Sequence, residues 1–245
     1  MKSTTTDLFF CMVSAHLLGD FIFQTSEIAE KKKEDLKFLF LHALIQALVV
    51  WAVCGLWTNW KIPLYIFTTH FVIDFIKIKL NDERMGVFIT DQVLHVLTIS
   101  LFVNSVFREE ISASYWVQVF GDTYFIYQIL LSGLILSSKA GESIIPYFLE
   151  KNKIIRPGES ESIAGFPAGG RLIGILERLM IFMFIYLDAT RDIAFLITAK
   201  SILRFGEITD NAGRKNAEYI IIGTFLSFAY AIFIAAITME IVNHY

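Results

Sequence analysis

The sequence has no basic tail and no excess of positive charge, since 21 Lys and Arg residues stand against 24 Asp and Glu residues. This balance argues against nucleic acid as a partner. Phosphate-binding loops, dinucleotide-binding glycine fingerprints and nucleophilic serine or cysteine motifs are also missing, as are internal repeats. The two cysteines, Cys11 and Cys54, lie inside apolar stretches and are interpreted as buried hydrophobic residues. The dominant feature of the chain is its hydrophobicity.

Apolar residues make up 55% of the chain, phenylalanine alone contributes 23 residues, and the mean hydropathy is +0.58. A soluble domain of this length has no interior large enough to bury so many apolar side chains. We therefore predict an all-α, polytopic membrane helix bundle with about eight transmembrane helices. Strands are excluded because isolated strands would leave backbone groups unpaired in lipid. The predicted spans lie near residues 7–25, 37–57, 62–80, 86–107, 122–145, 171–189, 191–207 and 217–241.

Lysine and arginine are concentrated in alternate connections between these spans. The basic connections contain Lys31, Lys32, Lys33 and Lys37, then Lys77, Lys79 and Arg84, then Lys151, Lys153 and Arg156, and finally Arg214 and Lys215. The positive-inside rule places these connections in the cytoplasm and both termini outside. The span at 191–207 is short and carries Lys200 and Arg204, so it is alternatively a half-span or an interfacial helix.

Two membrane halves of four helices each are predicted, residues 1–120 and residues 121–245, with a cytoplasmic loop near residues 150–170 in the C-terminal half. That loop is rich in Gly and Pro, which are typical of irregular chain. The first apolar stretch, from Leu8 to Phe23, is interrupted by His16 and Asp20, and no small-residue cleavage site follows. It is therefore expected to remain as the first span and not to act as a signal peptide.

Histidine and aspartate recur four residues apart in three of the first four spans. The pairs are His16 with Asp20, His70 with Asp74, and Asp91 with His95, and His42 stands in the second span. A separation of four residues puts both side chains on one helix face. In the fourth span, which runs the opposite way to the first and third, the order of His and Asp is also reversed. The three aspartates and His42 are therefore predicted about 8 Å from the cytoplasmic end, and the other three histidines about 14 Å.

A metal ion is the predicted reason for this cluster of His16, Asp20, His42, His70, Asp74, Asp91 and His95. A carboxylate near the bilayer centre costs about 2.5–3.5 kcal/mol, and buried charges persist when they are paired or bind a metal. Lys77, one turn from Asp74, is the expected partner cation. Mixed His and Asp ligands favour a divalent transition metal, with zinc first and iron or manganese as alternatives, in one or two copies. Gln24, Lys77 and Gln92 are predicted to support the ligands from a second layer. The alternative is a hydrogen-bonded packing network without metal.

The motifs His16-Leu-Leu-Gly-Asp20-Phe21-Ile-Phe-Gln24, His70-Phe-Val-Ile-Asp74-Phe-Ile-Lys77 and Asp91-Gln92-Val-Leu-His95 resemble those of a known family. It is an uncharacterised prokaryotic integral-membrane family, domain-of-unknown-function family 3307. The resemblance covers roughly the first 110 residues, and the second half resembles the C-terminal extension of longer members. It implies a helical fold in the cytoplasmic (inner) membrane of a prokaryote and marks the same His, Asp and Gln positions. It implies no activity.

The second half contains a different set of polar residues, namely Arg171, Arg178, Lys200 and Arg204. They are predicted near the cytoplasmic interface, where they are candidates for binding a phosphorylated or otherwise anionic head group. The alternative is that these side chains reach the interface and form ion pairs there.

Three functions remain open from the sequence. The first is a membrane-embedded metal-dependent hydrolase acting on a lipid or other membrane-associated substrate at the cytoplasmic side, with Asp20 or Asp91 as general base. The second is a divalent cation or proton-coupled transporter, since intramembrane His and Asp clusters also line ion pathways. The third is a non-catalytic membrane scaffold or sensor. Membrane lipid is the expected partner, and the oligomeric state is not predicted.

Overall fold

The computed structural model describes residues 5–82, 84–106, 113–151, 169–205 and 211–245, and within these it gives no side-chain placement for 105–106, 150–151, 203–205 and 211–220. The described residues form helices and no strand. The helices are α1 Thr5–Leu18, α2 Ser26–Lys31, α3 Leu36–Cys54, α4 Lys61–Leu80, α5 Met85–Leu101, α6 Tyr115–Phe120, α7 Thr123–Ile135, α8 Gly141–Lys151, α9 Gly169–Tyr186, α10 Arg191–Phe205 and α11 Asn211–Asn243. Wider π-helical turns extend α1 at Gly19–Phe23 and α5 at Phe102–Val106, and join α7 to α8 at Leu136–Ala140. The predicted all-helical class is confirmed.

Within the described residues, five helical segments are long and apolar enough to cross a membrane: Thr5–Phe23, Leu36–Cys54, Met85–Asn104, Thr123–Leu149 and Ile221–Asn243. Helix α4 has 20 residues, which is a sufficient length. Its charged residues Asp74, Lys77 and Lys79 keep it outside this set. Helices α2 and α6 lie in stretches that were expected to be connections. Most of the predicted loop at 150–170 lies outside the described residues.

The distribution of exposed and buried side chains is the reverse of that in a soluble bundle. Leu36, Leu48 and Leu97 are 59%, 49% and 52% exposed, whereas His42 and Gln46 are fully buried. A monomeric soluble protein does not expose apolar residues over most of its helices. The apolar outer surface and the polar interior fit a bundle whose helices face lipid.

The chain forms two compact units, residues 1–132 and 133–245. In the first unit α1 packs against α3 and α5, and α4 packs against the same two helices, so that four helices surround one interior. Small side chains at Ala15, Ala43 and Ala47 are buried in that interior and allow close contact between helices. This closed arrangement brings one face of each helix toward a common centre.

Aromatic residues gather at the end of the first unit where α3 ends. The indole of Trp116 donates a hydrogen bond to the Ala52 carbonyl at 2.7 Å, and the hydroxyl of Tyr124 donates to the Val53 carbonyl. Trp57 stacks on Tyr115 with ring centroids 5.1 Å apart. Trp and Tyr are enriched where a bundle meets the membrane–water interface. These side chains also satisfy carbonyl groups that the end of a helix leaves without intrahelical partners.

In the second unit α9 packs against α11, and α10 packs against α9. Its apolar core contains Ile181, Ile193, Phe228 and Ala231. Thr238 of α11 fits against Gly133, where an added Cβ would lie 2.2 Å from the threonine hydroxyl oxygen. Small residues again let two helix backbones approach closely.

Candidate metal centre

The first unit brings the seven predicted ligands together in its interior. The contributions are His16 from α1, Asp20 from the π-helical turn that follows it, His42 from α3, His70 and Asp74 from α4, and Asp91 and His95 from α5. Six of these residues are at most 3% exposed, and the side chain of Asp20 is 11% exposed. Each predicted pair therefore does point one helix face toward the same centre.

The π-helical turn after α1 sets the position of Asp20. The backbone N–H of Gln24 donates to the Gly19 carbonyl, five residues earlier, at 2.9 Å. Gly19 faces Gln46 of α3, whose side-chain amide would lie 2.3 Å from a Cβ at this position. Because glycine leaves that space open, Gln46 Nε2 donates to the His16 carbonyl at 3.1 Å and to Asp20 Oδ1. π-Helical turns of this kind are frequent at functional sites.

Asp20, His42 and His70 present three ligand atoms at the spacing of a metal site. His42 Nε2 lies 3.0 Å from His70 Nε2 and 3.4 Å from Asp20 Oδ1, and His70 Nε2 lies 3.6 Å from the same oxygen. A tetrahedral ion with bonds of 2.0–2.1 Å separates its ligand atoms by about 3.3 Å. The three atoms therefore form a triangle of the size that zinc coordination requires.

Asp74, Asp91 and His95 form a second set with no residue in common with the first. His95 Nε2 lies 3.7 Å from Asp74 Oδ1 and 3.6 Å from Asp91 Oδ1. The other oxygen of Asp74, Oδ2, lies 3.6 Å from His42 Nε2 and 3.8 Å from His70 Nε2. Asp74 thus faces both sets, one through each carboxylate oxygen.

A third set, His16, His70 and His95, overlaps the other two. The ring centroids are 4.1 Å apart for His70 and His95, 4.9 Å for His16 and His95, and 5.6 Å for His16 and His70. In each of the three sets all ligand atoms lie within 4.8 Å of one another. These are the three histidines that the sequence assigns to one layer.

Several of the buried candidate ligand atoms have no hydrogen-bond partner among the described residues. They are Nε2 of His16, Nε2 of His95 and Oδ1 of Asp91. A buried polar atom without a partner costs about 1–3 kcal/mol, and a cation bound in the set of Asp74, Asp91 and His95 would satisfy two of them. The mixed nitrogen and oxygen donors also suit a divalent transition metal. The residues present therefore fit the predicted ion.

Two lysines contact the carboxylates, and one of these pairings differs from the prediction. Lys77 Nζ donates to Asp91 Oδ2 at 2.7 Å, whereas Asp74 was expected to be its partner. Asp74 Oδ2 instead accepts from Lys32 Nζ at 2.6 Å, and Lys32 also donates to Gln24 Oε1 at 3.2 Å. One turn of α4 separates Asp74 from Lys77, but the ammonium group extends toward α5. The role of Lys32 had no local signal because 42 residues separate it from Asp74.

The predicted amides lie beside the ligands. Gln92 Nε2 donates to Asp20 Oδ2 at 3.1 Å and to Asp91 Oδ2 at 3.3 Å, and Gln24 accepts from Lys32. Gln46 adds an amide that sequence reasoning missed, because it stands alone in an apolar span. A glutamine one turn from His42 was the available signal.

Three of the four basic residues predicted in the second half have described side chains, and each of these has a partner of its own. Arg171 pairs with Glu142, and Lys200 Nζ lies 2.6 Å from Glu177 Oε2. Arg178 is buried. Its guanidinium group donates two hydrogen bonds to the Ser138 carbonyl and one to the Ser227 hydroxyl. The side chain of Arg204 lies outside the described residues. The anion-binding role of the four residues stays a prediction.

Comparison with known proteins gives one match. Residues 8–122 match the model of a family described as "Protein of unknown function (DUF3307)", which confirms the resemblance seen in the sequence motifs. This segment, which holds all seven candidate ligands, is similar to that family. No curated protein and no solved structure matches the chain.

Proposed function

Starting from this similarity and from the site, we propose that the protein is a membrane-embedded metal-dependent hydrolase that acts on a lipid or other membrane-associated substrate at the cytoplasmic side. The observation that carries the proposal is the triangle of Asp20, His42 and His70, whose ligand atoms lie 3.0–3.6 Å apart. Zinc is the preferred ion because it takes imidazole and carboxylate ligands in tetrahedral geometry. When bound, the ion supplies a Lewis acid that polarises the scissile group and activates water.

The residues around this triangle supply the general base and hold the ligands in position. Asp91 is the general base of the proposal, because its Oδ1 has no hydrogen-bond partner while Lys77 holds its Oδ2. Asp91 thus keeps one oxygen available to accept a proton from the attacking water. Asp20, the other candidate base, acts as a ligand held by Gln46 and Gln92. These amides fix the carboxylate as outer-layer partners do in metal enzymes.

The proposal includes a topology of about eight spans with both termini outside and the basic connections in the cytoplasm. It places the protein in the inner membrane of a prokaryote. The cluster then lies near the cytoplasmic surface, within reach of water and of a lipid head group.

A small cavity favours hydrolysis over transport as the role of the cluster. It lies against the imidazoles of His16, His70 and His95, and Thr69 and Thr98 contribute to its wall together with three aliphatic side chains. The threonine hydroxyls donate to the backbone carbonyls of Tyr65 and His95. An ion pathway needs polar groups that are available to the ion. Three lining side chains, Val50, Ile66 and Ile99, offer no ligand to an ion, which fits an enclosed site better than a route across the membrane.

Chromogenic probes test the proposal directly. Purified protein in nanodiscs, loaded with zinc, iron or manganese, is assayed with a nitrophenyl phosphate, a nitrophenyl carboxylic ester and a fluorogenic lipid amide. We expect metal-dependent turnover of at least one probe, which Asp91→Asn lowers by about a hundredfold or more. Asp82→Asn, in the connection between α4 and α5 where Asp82 pairs with Arg84, is the matched control and should retain the activity.

The contrary result comes from the same protein in liposomes. Transport is supported over hydrolysis if the protein carries divalent cations or protons, if Asp74→Asn and His95→Ala lose this flux, and if no probe is turned over.

A further inference from the structure

Two ammonium groups lie on the outer oxygens of the cluster. Asp74 and Asp91 both direct Oδ1 toward His95 and both place Oδ2 against a lysine, Lys32 and Lys77 respectively. Asp91 therefore uses one oxygen toward His95 and the other toward its lysine, whereas Asp74 Oδ2 holds Lys32 and also lies 3.6 Å and 3.8 Å from Nε2 of His42 and His70. Because neither Oδ2 atom belongs to the triangle of Asp20, His42 and His70, a metal bound there leaves both lysine contacts in place.

These lysines are also the more accessible part of the cluster. The side chain of Lys77 is 31% exposed and that of Lys32 is 11% exposed, whereas the carboxylates they hold are 2% and 3% exposed. An ammonium group has three N–H donors. Lys32 uses two of them, on Asp74 and Gln24, and Lys77 uses one, on Asp91. Each lysine therefore retains at least one donor for a ligand that approaches from the accessible side.

The charge of the cluster changes sign when metal binds. Asp20, Asp74 and Asp91 with Lys32 and Lys77 carry one net negative charge if the imidazoles are neutral. One divalent ion makes this one net positive charge, and two ions make it three. An uncompensated buried charge is unfavourable in a membrane interior. The loaded centre consequently requires an anion.

We propose that the hydrolase substrate is a phosphoester, and that its phosphate group binds to the loaded centre between Lys32 and Lys77. This inference rests on the proposed function and assigns it a substrate class. A phosphate offers several negatively charged oxygens to a metal and to ammonium donors, and lysine is a frequent phosphate ligand.

Titration with inorganic phosphate tests the inference without any assay of activity. Metal-loaded protein in detergent is titrated calorimetrically, and the metal content of each variant is measured by elemental analysis. We expect wild-type protein to bind phosphate only when loaded. Lys32→Gln and Lys77→Gln should each weaken binding about tenfold or more, which corresponds to the loss of one charge-assisted hydrogen bond.

Neighbouring lysines on the same helices provide matched controls. Lys31 pairs with exposed Glu27 at 2.6 Å, and Lys79 lies over the Phe75 ring at 5.5 Å. Lys31→Gln and Lys79→Gln should leave phosphate affinity within about twofold of wild type, since an exposed charge contributes little. If Lys32→Gln or Lys77→Gln loses metal, Lys32→Arg and Lys77→Arg keep the test valid, because they should retain both metal and phosphate.

Three results would overturn the inference. They are loaded protein that binds no phosphate, control variants that weaken binding as much as Lys32→Gln and Lys77→Gln, and arginine variants that retain metal but lose phosphate. The first result leaves the metal centre and hydrolysis of a neutral ester intact. A finding that purified wild-type protein contains and binds no metal would instead contradict both the proposed function and this inference.

Competition identifies the source of the phosphate. Nanodiscs that contain phosphatidic acid, nanodiscs of phosphatidylcholine alone and soluble glycerol phosphate are each offered to the phosphate-loaded protein. Displacement by phosphatidic acid supports a lipid phosphomonoester, and displacement by glycerol phosphate supports a soluble one. Displacement by neither contradicts the inference.

Discussion

At the scale of single residues, Gly19 decides whether α1 and α3 can bring their polar side chains together. Its missing side chain admits the Gln46 amide, which holds the His16 carbonyl and the Asp20 carboxylate. Asp20 in turn lies within 3.4–3.6 Å of two histidine nitrogens. One glycine therefore connects backbone packing to the geometry of the candidate metal centre.

We predict that Gly19→Ala destabilises the protein by about 1–3 kcal/mol, because a Cβ 2.3 Å from the Gln46 side chain forces that side chain or the helix to move. The melting temperature in detergent, followed by circular dichroism, measures the effect. Gly86→Ala is the control, since nothing lies within 4 Å of its Cβ, and it should leave stability unchanged or slightly higher. Equal melting temperatures for the two variants would contradict the role assigned to Gly19.

At the scale of elements, α4 combines a spanning length with charges that do not suit lipid. Asp74 and His70 are buried against the other helices of the first unit, so the helix meets lipid with its remaining faces. The buried Asp74 carboxylate is neutralised by Lys32, which directly follows α2. The stability of α4 in the membrane thus depends on its neighbours.

We predict that α4 alone inserts poorly in a membrane-insertion reporter, whereas α3 alone inserts efficiently. Each charged residue near the centre of a span opposes insertion by about 2.5–3.5 kcal/mol. Asp74→Leu should therefore raise the insertion of α4 strongly. Lys79→Leu should raise it less, because a lysine near a helix end can extend to the interface. Insertion of α4 equal to that of α3 would show that no neighbour is needed.

The helices and the ligands could be predicted from local patterns, but the supporting contacts could not. Hydropathy marked the apolar helices, and a spacing of four residues placed His70 with Asp74 on one face. The pairing of Lys32 with Asp74 depends on where the turn after α2 lies relative to α4, which no local pattern encodes. The π-helical turn at Gly19–Phe23 is equally non-local, because its formation goes with the contact between Gly19 and Gln46. Short α2 was missed because hydropathy does not detect a polar helix of six residues.

At the scale of the whole molecule, orientation decides which side of the membrane reaches the cluster. Single cysteines at Lys33→Cys and Thr58→Cys lie at exposed positions in successive connections. The native Cys11 and Cys54 are fully buried and should not react. We predict that an impermeant thiol reagent labels Thr58→Cys in intact cells and Lys33→Cys only in inverted vesicles, as the positive-inside rule requires. The opposite labelling pattern would show that the cluster faces the outside of the cell.

The most direct measurement is the metal content of the purified protein by elemental analysis, in wild type and in two histidine variants. His70 belongs to two of the three ligand sets, whereas His244 is exposed near the C-terminus and contacts Glu240. We predict one or two equivalents of zinc, iron or manganese per chain in wild type and in His244→Ala, with a clear loss in His70→Ala. Folded wild-type protein without metal, or His70→Ala with a full complement, would contradict the account.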